Sequence, residues 1–291
     1  MQCERRLVPA ADGTRIHAVL HGGGDGTPLL CLPGLTRNGR DFDVVVQQFA
    51  GERSVLTIDF RGRGRSDNAA DPLTYRPDVE LADTLAVLAA TGFKRVAVLG
   101  TSRGGIVGLL MANAAPDFLA GLCLNDIGPR IEPEGLLRIM AYVGVDVSFE
   151  SWQAAALAFA AAAPGFHGVM PEDWLRATRQ AYRQRDDGRI APAYDLRLWE
   201  TLPNRVDVAE GNIPDLWPLL PALLEKPVTC LRGAGSDLLS AETAARLCEA
   251  LPQAETVEVP DRGHVPFLDE PASSAALSRW LARVDAKEKG R

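Results

Sequence analysis

Apolar and polar positions along this chain recur with two periods, and the alternation between them predicts a layered α/β architecture. Residues 6–10 and 16–20 read as strands on either side of Asp12-Gly13, a pair suited to the positive φ angles of a tight hairpin. The chain is therefore expected to open with antiparallel strands. Beyond a Gly-rich link at 22–26, strands at 28–32, 55–60, 95–100 and 119–125 alternate with helical patterns at 41–49, 77–90 and 104–114. The later strands are too apolar to have one wet face, so they belong in a parallel sheet covered on both sides.

From 129 to 221 the strands stop, and helical patterns follow one another at 133–143, 151–163, 171–186 and 214–224. This predicts an all-helical cap of residues 129–221 inserted into a core made of residues 1–128 and 222–291. The core resumes with a strand at 228–232, a helix at 241–251, a strand at 255–259 and an amphipathic helix at 271–284. The charged tail 285–291 is expected to fray.

Charge narrows the range of partners. With 31 Lys and Arg against 38 Asp and Glu, the formal charge is −7. That balance argues against binding nucleic acid or an anionic membrane through bulk electrostatics. The first residues form no apolar leader and no later stretch is long enough to span a bilayer, so a cytoplasmic protein acting on a small molecule is expected. Five cysteines (Cys3, Cys31, Cys123, Cys230, Cys248) show no CxxC spacing, and three sit in apolar strand-like runs. Reduced, buried thiols are the expectation. No metal-ligand cluster is visible, and neither a metal nor an organic cofactor is expected.

The strongest chemical signal is Gly100-Thr101-Ser102-Arg103-Gly104, a G-x-S-x-G pattern entered from the strand Val96-Ala97-Val98-Leu99 and left through a helix. Such a turn lifts Ser102 above the sheet in a strained conformation, and glycine at 100 and 104 removes side chains that would collide with neighbouring backbone. The start of the following helix offers free N–H groups to a developing oxyanion. Pro33-Gly34-Leu35, the turn after an earlier strand, can bring a second donor, so the expected oxyanion hole is the N–H groups of Leu35 and Arg103.

A serine hydroxyl needs a base. Of four histidines, His17 lies in the opening hairpin, His21 beside the Gly-rich link and His167 in the cap. His264 lies in a loop after the last strand, where it can hang over the sheet's carboxyl edge. The imidazole in turn needs a carboxylate, and Asp237, in the loop after the resumed strand, is the expected one; Asp126 and Asp261 are the rivals.

With these motifs in hand, the chain resembles the α/β-hydrolase superfamily, in its compact capped branch of esterases, enol-lactonases and carbon–carbon bond hydrolases. The run Asp59-Phe60-Arg61-Gly62-Arg63-Gly64-Arg65-Ser66-Asp67 looks like that branch's D-x-R-G-x-G-x-S-D loop, and Gly263-His264 like its terminal histidine motif. The resemblance implies a mostly parallel eight-stranded sheet flanked by helices, with an inserted helical cap. Many relatives have His-Gly where this chain has Pro33-Gly34, and Met, Gln or Leu in place of Arg103. Haloalkane dehalogenases and epoxide hydrolases of this fold carry aspartate at the elbow and dienelactone hydrolases carry cysteine, so Ser102 points to acyl transfer.

The expected activity is serine-dependent hydrolysis of a carboxylic ester or lactone of a small, largely apolar substrate. Met140, Trp152, Phe159, Phe166, Met170 and Trp199 are the candidate pocket lining from the cap. The alternatives are a carbon–carbon hydrolase or cofactor-free oxygenase on the same scaffold, and a non-catalytic ligand receptor.

Overall fold

The computed structural model describes residues 3–290. Strands β1 (Cys3–Pro9) and β2 (Arg15–Gly22) form the predicted hairpin, turning through Gly13 at φ +85. They are followed by β3 (Gly26–Leu32), α1 (Asp43–Phe49), β4 (Arg53–Ile58), α2 (Pro77–Thr91), β5 (Val96–Thr101), α3 (Arg103–Ala114) and β6 (Leu119–Asn125). After a long intervening segment come β9 (Val228–Gly233), α8 (Ala241–Ala250), β10 (Glu255–Val259) and α9 (Pro271–Lys289). Eight strands form one sheet in the order β1-β2-β4-β3-β5-β6-β9-β10. β2 pairs antiparallel with β1 and with β4, and the remaining pairings are parallel.

The period-two geometry of the strands divides the core between the two faces of the sheet. Leu30, Leu32, Val96, Val98, Leu122 and Leu124 pack with residues of α2, α3 and α8, whereas Leu29, Cys31, Ala97 and Leu99 pack with Phe49 of α1 and with Leu277, Trp280 and Val284 of α9. Both faces are covered, which is why these strands read as continuously apolar. Cys31, Cys123 and Cys230 are buried free thiols in this core.

Two expectations need correction. The segment between β6 and β9 is not all helical. It contains α4 (Pro133–Tyr142), α5 (Trp152–Ala161), α6 (Pro171–Ala181) and α7 (Arg205–Ala209), but also a two-stranded antiparallel sheet of β7 (Tyr182–Gln184) and β8 (Ile190–Pro192). The helical pattern at 171–186 therefore breaks at Tyr182. There the chain turns extended and closes a hairpin through Gly188 at φ +83, and a local periodicity cannot register that cross-strand pairing.

Nor does the C-terminal tail fray over residues 285–289, where α9 continues to Lys289; residue 291 lies outside the described residues. Asp285 accepts from the Thr27 N–H at 2.9 Å and pairs with the buried Arg53 at 2.9 Å, and Glu288 pairs with Arg95. These long-range contacts hold a stretch that would fray as an isolated helix end.

Candidate active site

β5 ends at the centre of the sheet, and the turn into α3 holds Ser102 at φ 49, ψ −111, a conformation few non-glycine residues adopt. The neighbouring strand stabilises it: the Ser102 N–H donates to the Asn125 carbonyl at 3.0 Å. The flanking glycines have a steric reason. A Cβ at Gly100 would lie 2.5 Å from the Gly104 backbone, and one at Gly104 would lie 2.1 Å from the Leu32 carbonyl oxygen. Backbone cannot yield as a side chain can, so Gly104→Ala is expected to destabilise the protein by about 3 kcal/mol, near the upper end for overpacking. A chemical denaturation curve unchanged from wild type would contradict this.

Ser102 Oγ lies 3.0 Å from His264 Nε2, and His264 Nδ1 lies 2.7 Å from Asp126 Oδ2. The carboxylate can only accept, so the imidazole proton sits on Nδ1. The Nε2 lone pair is then free to take the serine proton. The loop carrying His264 is fixed by the buried Glu270, which accepts from the Phe267 N–H at 2.8 Å, the Leu268 N–H at 3.0 Å and Ser273 Oγ at 2.8 Å, and pairs with Arg262 at 2.8 Å.

The carboxylate against the histidine is thus Asp126, not Asp237. Asp126 follows β6 directly, at φ 55, and is fully buried. Its Oδ1 accepts from the Gly233 N–H at 2.7 Å, and its Oδ2 accepts from Ser236 Oγ at 2.6 Å as well as facing His264. The loop after β9 contributes Ser236 as a donor to that acid, while the adjacent Asp237 turns to α4. There it forms a two-point ion pair with Arg138, Nε at 2.5 Å and Nη2 at 2.9 Å. Burial by itself would raise the Asp237 carboxyl, but the guanidinium outweighs it and holds the group below the usual carboxylate range. Asp261 contacts His264 through no hydrogen bond; its carbonyl accepts from the His167 N–H at 3.0 Å.

The two expected oxyanion donors share a buried support. Arg63 Nε donates to the Leu35 carbonyl at 2.8 Å, fixing the turn after β3. Its Nη1 lies 2.8 Å from Glu80 Oε1, and Glu80 Oε2 lies 3.6 Å from Arg103 Nε. Arg63 and Glu80 are wholly buried, and the Arg103 side chain turns toward them, away from the cavity that Ser102 faces. The main-chain N–H of Arg103 opens α3, where the first N–H groups lack intrahelical acceptors.

The rest of the D-x-R-G-x-G-x-S-D run is structural in the same sense. Asp59 accepts from the Gly39 and Arg65 N–H groups and contacts His17 Nδ1 at 3.0 Å, and a Cβ on Gly64 would lie 2.4 Å from it.

Ser102 and His264 open into a cavity of about 350 Å³ between the sheet's carboxyl edge and the segment that follows β6. Of the six aromatic and methionine residues expected to line it, Phe159 and Phe166 do. Met140, Trp152, Met170 and Trp199 do not. Trp199 packs against Gly144 and is 57% exposed, Met170 is 59% exposed, Trp152 stacks under the Arg179 guanidinium, and Met140 lies on a face of α4 away from the cavity. Residue type alone did not resolve which helix face turns inward. Unanticipated lining comes from Tyr142, Trp174, Tyr182, Tyr194 and Phe267, the last in the loop that carries His264. Phe166, Trp174 and Phe267 form a cluster with centroids 5.3 to 5.6 Å apart.

Ser102, His264 and Asp126 thus form one hydrogen-bonded chain at the turn between β5 and α3. A family model described as the alpha/beta hydrolase family matches residues 29–277. A 3-hydroxybutyrate-oligomer hydrolase of Cupriavidus necator is 34% identical over 260 residues, 87% of each chain. A 2-(acetamidomethylene)succinate hydrolase of Mesorhizobium japonicum is 28% identical over 90% of each. The crystal structure of an alpha/beta hydrolase from Novosphingobium aromaticivorans superposes with a TM-score of 0.90 at 42% identity, covering 97% of this chain and 98% of that one. The chain belongs to the alpha/beta hydrolase family. Among the described residues no helix is long and apolar enough to cross a membrane.

Proposed function

We propose that the protein is a serine hydrolase that cleaves a carboxylic ester through an acyl-enzyme. The observation that carries this reading is the unbroken path from Ser102 Oγ to His264 (3.0 Å) to Asp126 (2.7 Å) beside a largely apolar cavity. Ser102 Oγ attacks the ester carbon as His264 Nε2 takes its proton, and the oxyanion is received by the N–H groups of Leu35 and Arg103. His264 then protonates the leaving alkoxide and activates the water that hydrolyses the acyl-enzyme. Residues 129–221 act as the cap that excludes bulk water during these steps.

A small, largely apolar ester or lactone fits the cavity walls. Similarity to a 3-hydroxybutyrate-oligomer hydrolase supports an ester joining hydroxyacyl units, since such an oligomer is a chain of esters. The expected result is stoichiometric labelling of Ser102 by a fluorophosphonate probe, mapped by peptide mass spectrometry, together with turnover of short-chain esters. Folded protein that takes up no label would overturn the reading and favour a ligand receptor.

A further inference from the structure

Charge enters this apolar cavity at few points. Besides the neutral His264, the ionisable residues on its wall are Arg37, Asp41, Arg138 and Arg176, three arginines against one carboxylate. The other acids that neutralise them, Asp237 for Arg138 and Asp173 and Asp269 for Arg176, are not part of the wall. Of the acids that pair with these arginines, Asp41 alone is part of the wall.

Arg37 and Arg138 are held in the same way. Each uses Nε and Nη2 on a two-point pair, with Asp41 at 2.7 and 2.7 Å and with Asp237 at 2.5 and 2.9 Å. In each, Nη1 has no hydrogen-bond partner among the described residues, and the side chains are 18% and 25% exposed; Arg37 Nη2 also donates to the Ala177 carbonyl at 3.5 Å. A guanidinium held on one edge keeps its other edge as a planar donor, which suits a second carboxylate. Tyr142, which lines the same cavity, is close enough to both arginines to feel their charge, and its phenol can add an uncharged hydrogen-bond donor there. Arg37 is two residues from Leu35, so its backbone lies within about 7 Å of the oxyanion-hole turn.

We propose that the substrate carries a free carboxylate, seated on the open edges of Arg37 and Arg138, which positions its ester at Ser102. The proposal rests on the serine-hydrolase reading and adds a recognition element to it. Asp41 and Asp237 preorient the two guanidinium groups and offset the cost of burying them while the cavity is empty.

The test compares the butyryl ester of 3-hydroxybutyrate, a carboxylate, with its primary carboxamide, which has the same shape and no charge. Wild type is expected to favour the carboxylate on the order of 10- to 100-fold in kcat/KM, mostly through KM. In Arg37→Gln/Asp41→Asn and in Arg138→Gln/Asp237→Asn, each removing an ion pair without leaving an orphan charge, that ratio is expected to fall toward one. A ratio is insensitive to the fraction of folded enzyme. Equal kcat/KM for the two esters in wild type, or a ratio unchanged in both variants, overturns the carboxylate site. If Ser102→Ala is inactive in that case, the serine mechanism survives it; if wild type neither turns over these esters nor labels at Ser102, both readings fall.

Discussion

If the protein is the proposed serine hydrolase, Asp126→Asn is expected to lower kcat on an ester substrate by about ten-thousand-fold, whereas Asp237→Asn is expected to lower it by less than about tenfold. The first effect follows from the donors around the acid. Oδ1 of Asp126 faces the Gly233 N–H, which can only donate, so an asparagine must put its oxygen there. Its NH₂ then faces His264 Nδ1 and Ser236 Oγ. The imidazole can satisfy that donor only by moving its proton to Nε2, where it can no longer receive one from Ser102. The shape of the site survives and the wrong tautomer occupies it.

Asp237→Asn removes the charge that pairs with Arg138 and leaves the bonds to His264 intact. Burst-free steady-state kinetics on a neutral p-nitrophenyl ester separates the two variants. Near wild-type kcat for Asp126→Asn, with a collapse for Asp237→Asn, would show that another arrangement of the loops is the reactive one.

Glu80→Gln is expected to destabilise the fold by about 3 to 5 kcal/mol, the range for breaking a buried ion pair from one side. Glu80 stands between two guanidinium groups, Arg63 at 2.8 Å and Arg103 at 3.6 Å. Neither of its oxygens has a well-directed hydrogen bond, so its contribution there is chiefly charge. The isosteric amide removes that charge while leaving Arg63 buried beside a second cation, and no water can compensate. Because Arg63 also holds the Leu35 carbonyl, the surviving folded fraction should show a lowered kcat. As a comparison, the exposed Arg76–Asp78 pair should matter little, with Asp78→Asn costing under about 1 kcal/mol. Urea denaturation of both variants checks the contrast; a loss below about 1 kcal/mol for Glu80→Gln would remove the buried-charge account.

Much of this site is legible in the chain. Gly100, Ser102 and Gly104 announce a turn whose steric demands are met within a few residues, and His264 follows the last strand in a loop that can reach only the sheet's carboxyl edge. The acid was harder to read. Asp126 and Asp237 each follow a strand that ends at that edge, and each falls between Ser102 and His264 in sequence, so chain order cannot separate them. What separates them is a neighbour: α4 packs its start against residue 237, with the Gly135 N–H on the Asp237 carbonyl at 3.1 Å, and Arg138 takes the carboxylate.

By itself the sequence determined what depends on local sterics and period: the hairpin at Gly13, the buried parallel strands, the elbow at Ser102 and the order of core elements. Only the tertiary structure decided which acid meets the histidine, which face of α4 looks inward, that residues 182–192 pair as strands, and that α9 runs on to Lys289. Each of these depends on partners far away in the chain. A side chain's own type sets which bonds it can make, whereas the fold sets which groups come within about 3 Å to make them.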